Sequence, residues 1–237
     1  MKTMTLNKMN CLEYYYNQAV EPTEKATDYL LSRGLSREEI KFFGIRFFET
    51  RPKIKDSGKS DWKEFKDWAT DGSLLQGKLV FPLWNSQGQL VALTLQSLGK
   101  FKTKFISHLS ELEGVFYGLK YALESIWKTE EVFITEGVFD FHPLFRLFSN
   151  SLGILTANIS AKQITFFKRY VKRIYSLLDN DKAGESGFVK LCEKIGKDIE
   201  VIRISYLAKD LGDLWEKNGE EGFQKAIQDQ MSRLILL

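Results

Sequence analysis

The sequence predicts an α/β protein, with a mixed α+β first half followed by an α/β domain that has a mainly parallel sheet. In the first half, two strand-like runs, KLVFPLW and LVALTLQSL, are joined by Asn85-Ser86-Gln87-Gly88, which is typical of an antiparallel hairpin. From about residue 130, the short apolar runs VFIT, LGILTA, IYSLL and VIRIS alternate with helical stretches. Strands and helices that alternate at this spacing favour a parallel sheet with crossover helices.

The composition is that of a folded protein outside membranes. With 237 residues, 43% of them hydrophobic and only four prolines, the chain can bury a sizeable core and differs from disordered sequences. The N-terminus, MKTMTLNKMN, lacks the apolar region of a signal peptide, and no stretch approaches the roughly 18 apolar residues that span a bilayer. Cys11 and Cys192 are far apart and only two histidines are present, so a structural zinc site lacks ligands. The sequence therefore predicts a reduced, cytoplasmic protein.

Local signals predict the helices of the first half. Pro22 suits a helix start and Gly34 a helix stop, and Ser36 with Glu39 forms a capping box for a second short helix. Residues 51–72 are charged and carry aromatic residues at three-residue spacing, which predicts a surface helix with one buried stripe. Those aromatic residues are Trp62, Phe65 and Trp68.

The second half is expected to hold three further helices and a tail. The helices are predicted near 138–149, 161–171 and 183–196, the second of them with a capping box made by Ser160 and Gln163. The predicted divisions of the chain are a first subdomain over 1–125, the α/β domain over 126–218 and a C-terminal helical tail over 219–237.

Three of the apolar runs end in acidic residues. VFIT is followed by Glu136 and, one helical turn later, Asp140; IYSLL is followed by Asp179 and Asp181. VIRISY is followed by Lys209-Asp210-Leu211-Gly212-Asp213. In an open parallel sheet the working crevice lies at the carboxyl ends of the strands, so these acids converge if their strands are neighbours.

Converging carboxylates need a compensating charge. Like charges raise one another's pKa, and no histidine lies in these motifs, so a hard divalent cation with oxygen ligands, Mg²⁺ above all, is the predicted compensation. Asp179 and Asp181 are two apart on an extended strand end and point to the same face, while Ala183 and Gly184 let the next helix begin close by. The alternative for each acid alone is a solvated loop residue or a helix N-cap.

The order E-G-x-x-D, D-x-D-x-A-G and K-D-x-x-D resembles the Toprim fold, the metal-binding catalytic domain of DnaG-type primases, topoisomerases and several nucleases; residues 131–218 carry it. The segments ATDYLLSRGLSREEIKFFGIRF, GKLVFPLWNSQGQLVALTLQSL and KFISHLSELEGVFYGL are similar to the N-terminal part of a DnaG-type primase catalytic core. The resemblance covers roughly residues 20–218, and other Toprim proteins lack its first half.

The resemblance implies a DNA-dependent RNA primase, a ribonucleotidyltransferase that makes short RNA primers by phosphoryl transfer dependent on Mg²⁺ or Mn²⁺. It implies single-stranded DNA and ribonucleoside triphosphates as substrates, and a replicative helicase or a separate zinc-binding protein as partner. By matching position, the implied catalytic residues are Glu136, Asp179 and Asp181, joined as metal ligands by Asp140, Asp210 and Asp213. The implied nucleic-acid or nucleotide contacts are Lys78, Lys100, Lys102 and Lys104.

The sequence also departs from the family pattern. Leu95-Gln96-Ser97 stands where primases commonly have Gly-Gly-Arg, and Glu113 and Val115 replace basic residues, so part of the family's basic ridge is missing. A zinc-binding module and a helicase-binding bundle are not recognisable, which suggests a phage or mobile element. Template choice is then either left to a partner or relaxed.

Two other functions and two other interpretations stay open. The protein could be a Toprim nuclease, which uses the same ions to activate water, or a non-catalytic nucleic-acid-binding subunit that retained the fold. The lysines in GKFKTKF either track a template or protect an exposed edge strand. The basic stretch from Lys162 to Arg173 is interpreted as the solvated face of an amphipathic helix, and His142 and Cys192 as packing residues.

Overall fold

The structure is a computed structural model that describes residues 12–53, 75–98, 104–107, 116–155 and 159–235. The chain divides into two compact units, the first formed by Met1–Leu31 and Ser36–Leu112, the second by Ser32–Leu35 and Glu113–Leu237. The helix predicted over 51–72 lies almost entirely outside the described residues.

The first unit combines short helices with an antiparallel sheet. Residues 12–16 are helical. The labelled elements are helices α1 (Glu24–Ser32) and α2 (Arg37–Phe42) and strands β1 (Arg46–Phe47), β2 (Lys78–Trp84), β3 (Leu90–Ser97) and β4 (Lys104–Ser107). The strands lie in the order β1-β2-β3-β4, and every neighbouring pair is antiparallel. The mixed α+β first half is therefore confirmed.

Two local predictions in this unit are confirmed for the expected reasons. The backbone amide of Glu39 donates to the Ser36 hydroxyl at 3.1 Å, and the Glu39 carboxylate accepts from the Ser36 amide, which completes the capping box at α2. In the turn between β2 and β3, the Asn85 side chain accepts from the amides of Gln87 and Gln89, and Gly88 has a φ of +74°. A positive φ favours glycine, so the hairpin closes where the sequence indicated.

The second unit is built on a parallel sheet. Its strands are β5 (Glu131–Thr135), β6 (Ser151–Gly153), β7 (Arg173–Ser176) and β8 (Glu200–Arg203), in the order β6-β5-β7-β8. All three neighbouring pairs are parallel. The helices are α3 (Leu119–Thr129), α4 (Val138–Leu147), α5 (Ala161–Tyr170), α6 (Lys182–Ile195) and α7 (Leu211–Ile235), the last of which is interrupted at Gly219. The predicted parallel sheet with crossover helices is confirmed.

Helices cover both faces of this sheet. Val132, Ile134 and Ile174 pack into a cluster with α3, α5 and α6, whereas Phe133 and Tyr175 pack into a second cluster with α4 and α7. Successive strand residues point to opposite faces, so burial on both sides requires the nearly continuous apolar runs seen in the sequence. This burial fixes the positions of the strands. It therefore also fixes the edge of the sheet at which their carboxyl ends lie.

At the amino ends of three neighbouring strands, an arginine forms ion pairs with two glutamates. Arg173 lies directly between Glu131 and Glu200 in the register of β5, β7 and β8. Its guanidinium contacts the Glu131 carboxylate at 2.7 Å and the Glu200 carboxylate at 2.6 Å. These three residues mark the amino end of the sheet.

Within the described ranges, no helix combines the length and apolar character needed to cross a bilayer.

Candidate metal and active site

The strand order makes neighbours of the three strands that precede acidic residues. β5 lies beside β7, and β7 lies beside β8. Ile134 of β5 is in register with Ser176 of β7, which is in register with Arg203 of β8. Glu136 lies two residues beyond Ile134 and Asp179 three beyond Ser176, so both emerge at the same carboxyl edge.

Glu136 and Asp179 form the centre of this edge. The backbone amide of Asp179 donates a hydrogen bond to Glu136. The other Glu136 oxygen, Oε1, is buried and has no hydrogen-bond partner among the described residues. Burial raises the pKa of Glu136, and the charges of Asp181 and Asp140 raise it further.

Asp179 is the carboxyl group on which the other acids of the cluster act together. Burial, followed by the charges of Asp140, Glu136, Asp210 and Asp181, raises the pKa of Asp179 to about 8. Four carboxylates are thus close enough to oppose its ionisation. The cluster predicted from three separate segments of the sequence comes together around Asp179.

Asp181 also caps a helix. It is the N-cap of α6, and its Oδ1 accepts from the amides of Ala183 and Gly184, both at 2.9 Å. The alternative interpretation of this residue as an N-cap therefore holds as well, because one oxygen caps the helix while its charge acts on Glu136 and Asp179.

Asp140 holds two helix starts together. It is buried, its Oδ2 accepts from the Gly137 amide at 3.0 Å, and its Oδ1 accepts from the Gly212 amide at 2.9 Å. Burial and the charge of Asp210 raise the pKa of Asp140. Both of its oxygens are thus engaged by backbone amides, which suits a supporting carboxylate better than a direct metal ligand.

Asp210 and Asp213 differ in their surroundings. Asp210 Oδ1 accepts from the Asp213 amide at 2.7 Å, and the Asp210 charge raises the pKa of both Asp140 and Asp179. Asp213 lies in the first turn of α7, where Lys217 donates to its Oδ2 at 2.7 Å and lowers its pKa. The structure brings Asp210 into the cluster and gives Asp213 a lysine partner instead.

The donor set fits a divalent cation in its chemistry. Hard carboxylate oxygens that raise one another's pKa, together with the unpartnered Glu136 Oε1, are the surroundings that a bound Mg²⁺ or Mn²⁺ would stabilise. In the part of the chain that the structure describes, no three Asp, Glu, His or Cys side chains are arranged to hold one ion. Coordination by three of these carboxylates therefore requires their side chains to turn toward a common point.

The raised pKa of Asp179 makes stability depend on pH. Without metal, the folded protein keeps a proton on Asp179 up to about pH 8, whereas the unfolded chain releases it near the ordinary value of 3.8. The unfolded state binds fewer protons between these values, so stability should fall as pH rises through this window. We expect a loss of about 2 kcal/mol between pH 5 and pH 8, discounted because Asp179 is partly exposed, and a fall in Tm of about 4–8 °C.

Thermal melting in EDTA at pH 5, 6, 7 and 8 measures this loss. Asp179→Asn cannot ionise and should flatten the curve, whereas Asp213→Asn, whose parent carboxyl has a lowered pKa, should not. A wild-type Tm that is constant across this range, or equal slopes for Asp179→Asn and wild type, would contradict the prediction.

The loop of residues 177–181 between β7 and α6, called the Asp179 loop below, is held in place by residues that the sequence analysis did not single out. The Asn180 side chain donates to the carbonyls of Tyr206 and Ala208 at 2.7 and 2.8 Å. The Tyr206 hydroxyl donates to the Leu178 carbonyl at 3.1 Å. Arg203 donates to the Asp179 carbonyl at 3.2 Å. An arginine inside the apolar run VIRIS was the one available signal, since a cation there needs an anionic or carbonyl partner.

Only part of the predicted nucleic-acid surface falls on described residues. Lys78 begins β2 and donates to the Ser97 hydroxyl. Lys104 begins β4, while Lys100 and Lys102 lie outside the described residues. Among the described strands, β4 is the last of its sheet.

Comparison with known proteins agrees with this architecture. Residues 133–215 match the family described as Toprim-like. The DNA primase of Thermotoga maritima is 27% identical over 240 residues, which cover 92% of this chain and 42% of that protein. The DNA primase of Clostridium acetobutylicum is 22% identical over 250 residues, covering 92% of this chain and 39% of that one. The chain thus spans less than half the length of these two relatives.

Solved structures extend the likeness to both units. A DNA primase domain from Pseudomonas aeruginosa has a TM-score of 0.72 at 20% identity, covering 94% of this chain and 78% of that one. A DnaG primase catalytic domain bound to single-stranded DNA has a TM-score of 0.70 at 18% identity, covering 97% and 80%. The zinc-binding and RNA polymerase domains of Aquifex aeolicus primase give 0.67 at 18% identity, covering 94% and 60%.

Residues 133–215, which lie in the second unit, thus resemble a Toprim-like domain. In sequence and in fold, the chain resembles the catalytic core of DnaG-type DNA primases.

Proposed function

We propose that this chain is the catalytic core of a DNA-dependent RNA primase that makes short RNA primers on single-stranded DNA. The main support is the extent of the likeness, which covers 94 to 97% of the chain in two solved primase domains and so includes the unit before the Toprim-like segment. Topoisomerases and Toprim nucleases share only that segment with the primase family. An enzyme that joins ribonucleotides is therefore favoured over one that cuts nucleic acid.

The acidic edge provides the proposed chemistry. Glu136, Asp179 and Asp181 would hold a divalent metal ion, with Asp210 and Asp140 as supporting carboxylates and Asp213 in a lesser role. Such an ion, when bound, neutralises charge on a triphosphate and activates the attacking 3′-hydroxyl. The protein's own contribution is to keep the carboxylates in place through the bonds of Asn180, Tyr206 and Arg203.

The proposed substrates and partners follow from the same relationship. A template strand would be tracked by lysines and aromatic rings, with Lys78, Lys100, Lys102 and Lys104 as the proposed contacts. A helicase and a separate zinc-binding protein are proposed partners, and the cytoplasm is the proposed location. The zinc-binding domain that accompanies the polymerase domain of the Aquifex aeolicus primase is the model for such a partner.

A ribonucleotide incorporation assay tests the proposal. Purified protein is incubated with single-stranded DNA of mixed sequence, labelled ribonucleoside triphosphates and Mg²⁺ or Mn²⁺. We expect short labelled RNA oligomers whose formation requires both the template and the metal. Asp179→Asn, prepared in the same way, controls for a contaminating polymerase.

Other results would support the rival functions. Shortening of the template without new oligomers would identify a nuclease. Template binding without synthesis or cleavage, in protein that binds Mn²⁺, would identify a non-catalytic subunit. Either result would overturn the proposal.

A further inference from the structure

We propose that Arg203 is a positioning residue that holds the backbone of the Asp179 loop in the geometry required for metal binding. This inference rests on the proposed function, because it concerns the same carboxylates. Arg203 is the last residue of β8, one strand away from the loop that it contacts. Its side chain is 18% exposed, so its interactions are largely shielded from solvent.

The guanidinium of Arg203 spans the loop and the helix that follows it. Nη2 donates to the Asp179 carbonyl at 3.2 Å, and Nη1 lies 3.4 Å from the Gly184 carbonyl. The two carbonyls lie on either side of Asp181, the N-cap of α6. One side chain thus ties together the two ends of the segment that carries Asp179 and Asp181.

Two further contacts hold the guanidinium itself. Nη1 lies 3.4 Å from the Glu185 carboxylate, and the guanidinium carbon lies 5.3 Å from the centroid of the Phe188 ring. Both partners belong to the first two turns of α6. A planar group held at its face and at one edge has few orientations available, which is what a positioning role requires.

A purely electrostatic role makes the opposite prediction. A positive charge beside carboxylates repels a metal cation, so its removal alone should strengthen metal binding. Positioning predicts weaker binding, because the carbonyl of Asp179 loses its restraint. Lysine retains the charge but is a point donor that cannot reproduce the planar fork, so Arg203→Lys separates the two effects.

The test measures Mn²⁺ affinity, which does not depend on activity. Free Mn²⁺ is titrated by electron paramagnetic resonance against wild-type chain, Arg203→Lys and Arg203→Met, with melting curves to confirm that each is folded. We expect the dissociation constant to rise about 10- to 100-fold in both variants, the usual effect of removing a residue that orients metal ligands. Arg173→Lys, at the other end of the sheet, should bind as wild type does.

Each result is decisive. An unchanged constant for Arg203→Lys with tighter binding by Arg203→Met would assign a charge role and overturn positioning. Unchanged constants for both, with a lower Tm, would leave Arg203 a purely structural role and also overturn it. If Arg203→Met does not fold, Arg203→Lys decides alone, and Phe188→Leu, which loosens the guanidinium without removing it, should weaken binding in the same direction.

The inference and the proposed function can fail separately. If wild-type protein binds Mn²⁺ and Arg203→Lys binds it equally well, only the inference is overturned. If wild-type protein binds no Mn²⁺, the proposed metal chemistry is overturned together with the inference.

Discussion

Asp179→Asn should reduce primer synthesis by at least about 1,000-fold, which corresponds to roughly 4 kcal/mol of lost transition-state stabilisation. Asp179 lies at the centre of the carboxylate cluster, and four other acids act on its pKa. Asparagine keeps the size of the side chain and removes the charge that a metal ion needs. Folding and template binding should stay largely intact, because asparagine preserves the shape of the side chain.

For Asp181, asparagine is a better test substitution than alanine. Alanine should also abolish synthesis, but it removes the N-cap of α6 and so costs about 1 kcal/mol of stability. Asp181→Asn retains a cap acceptor and removes the charge, which isolates the proposed role in metal binding. Labelled ribonucleotide incorporation measures the rate of synthesis. Fluorescence anisotropy measures template binding, and a melting curve measures stability.

Asp213→Asn is the matched control for these variants. Its parent carboxylate is paired with Lys217, so we expect less than about a threefold loss of synthesis, within the effect of one exposed ion pair. Near-normal synthesis by Asp179→Asn or Asp181→Asn would remove that residue from the mechanism.

Gly184→Ala should destabilise the protein and abolish synthesis. A Cβ atom at this position would lie 2.0 Å from the carbonyl oxygen of Asp179 and 2.9 Å from its carbonyl carbon and amide nitrogen. These are backbone atoms of the loop that carries the proposed ligand, so the loop or α6 must move. We expect a loss of about 3 kcal/mol in the free energy of unfolding and a fall in Tm of about 6–12 °C.

Helix propensity predicts the opposite sign for this substitution. Alanine stabilises a helix interior by roughly 1 kcal/mol relative to glycine, so a purely local effect would raise the Tm. Ser186→Ala, on an exposed position of the same helix, should show only that small local effect. A Gly184→Ala protein with unchanged or higher Tm and normal synthesis would show that the contact with Asp179 is not as close as the structure has it.

Much of the fold followed from local features of the sequence. The capping boxes at Ser36 and Ser160, the turn at Gly88 and the alternation of apolar runs with helices all depend on residues close in sequence. The pairing of Asp213 with Lys217 is of the same kind, because residues four apart on a helix are neighbours. The acidic residues that follow three of the strands could likewise be recognised in the sequence. Because the carboxyl ends of parallel strands lie at one edge of the sheet, these residues were expected at that edge.

The tertiary structure decided which of those acids meet and what each one does. The order β6-β5-β7-β8 makes neighbours of three strands that are separated along the chain, and no local signal specifies that order. The bond from Gly212 to Asp140 spans 72 residues, and the bond from Arg203 to Asp179 spans 24. The sequence alone thus determined the elements and the supply of carboxylates, because these depend on local backbone preferences and hydrophobic periodicity. Their pKa values and supporting contacts depended on distances between segments far apart in the chain, which only packing of the whole domain could determine.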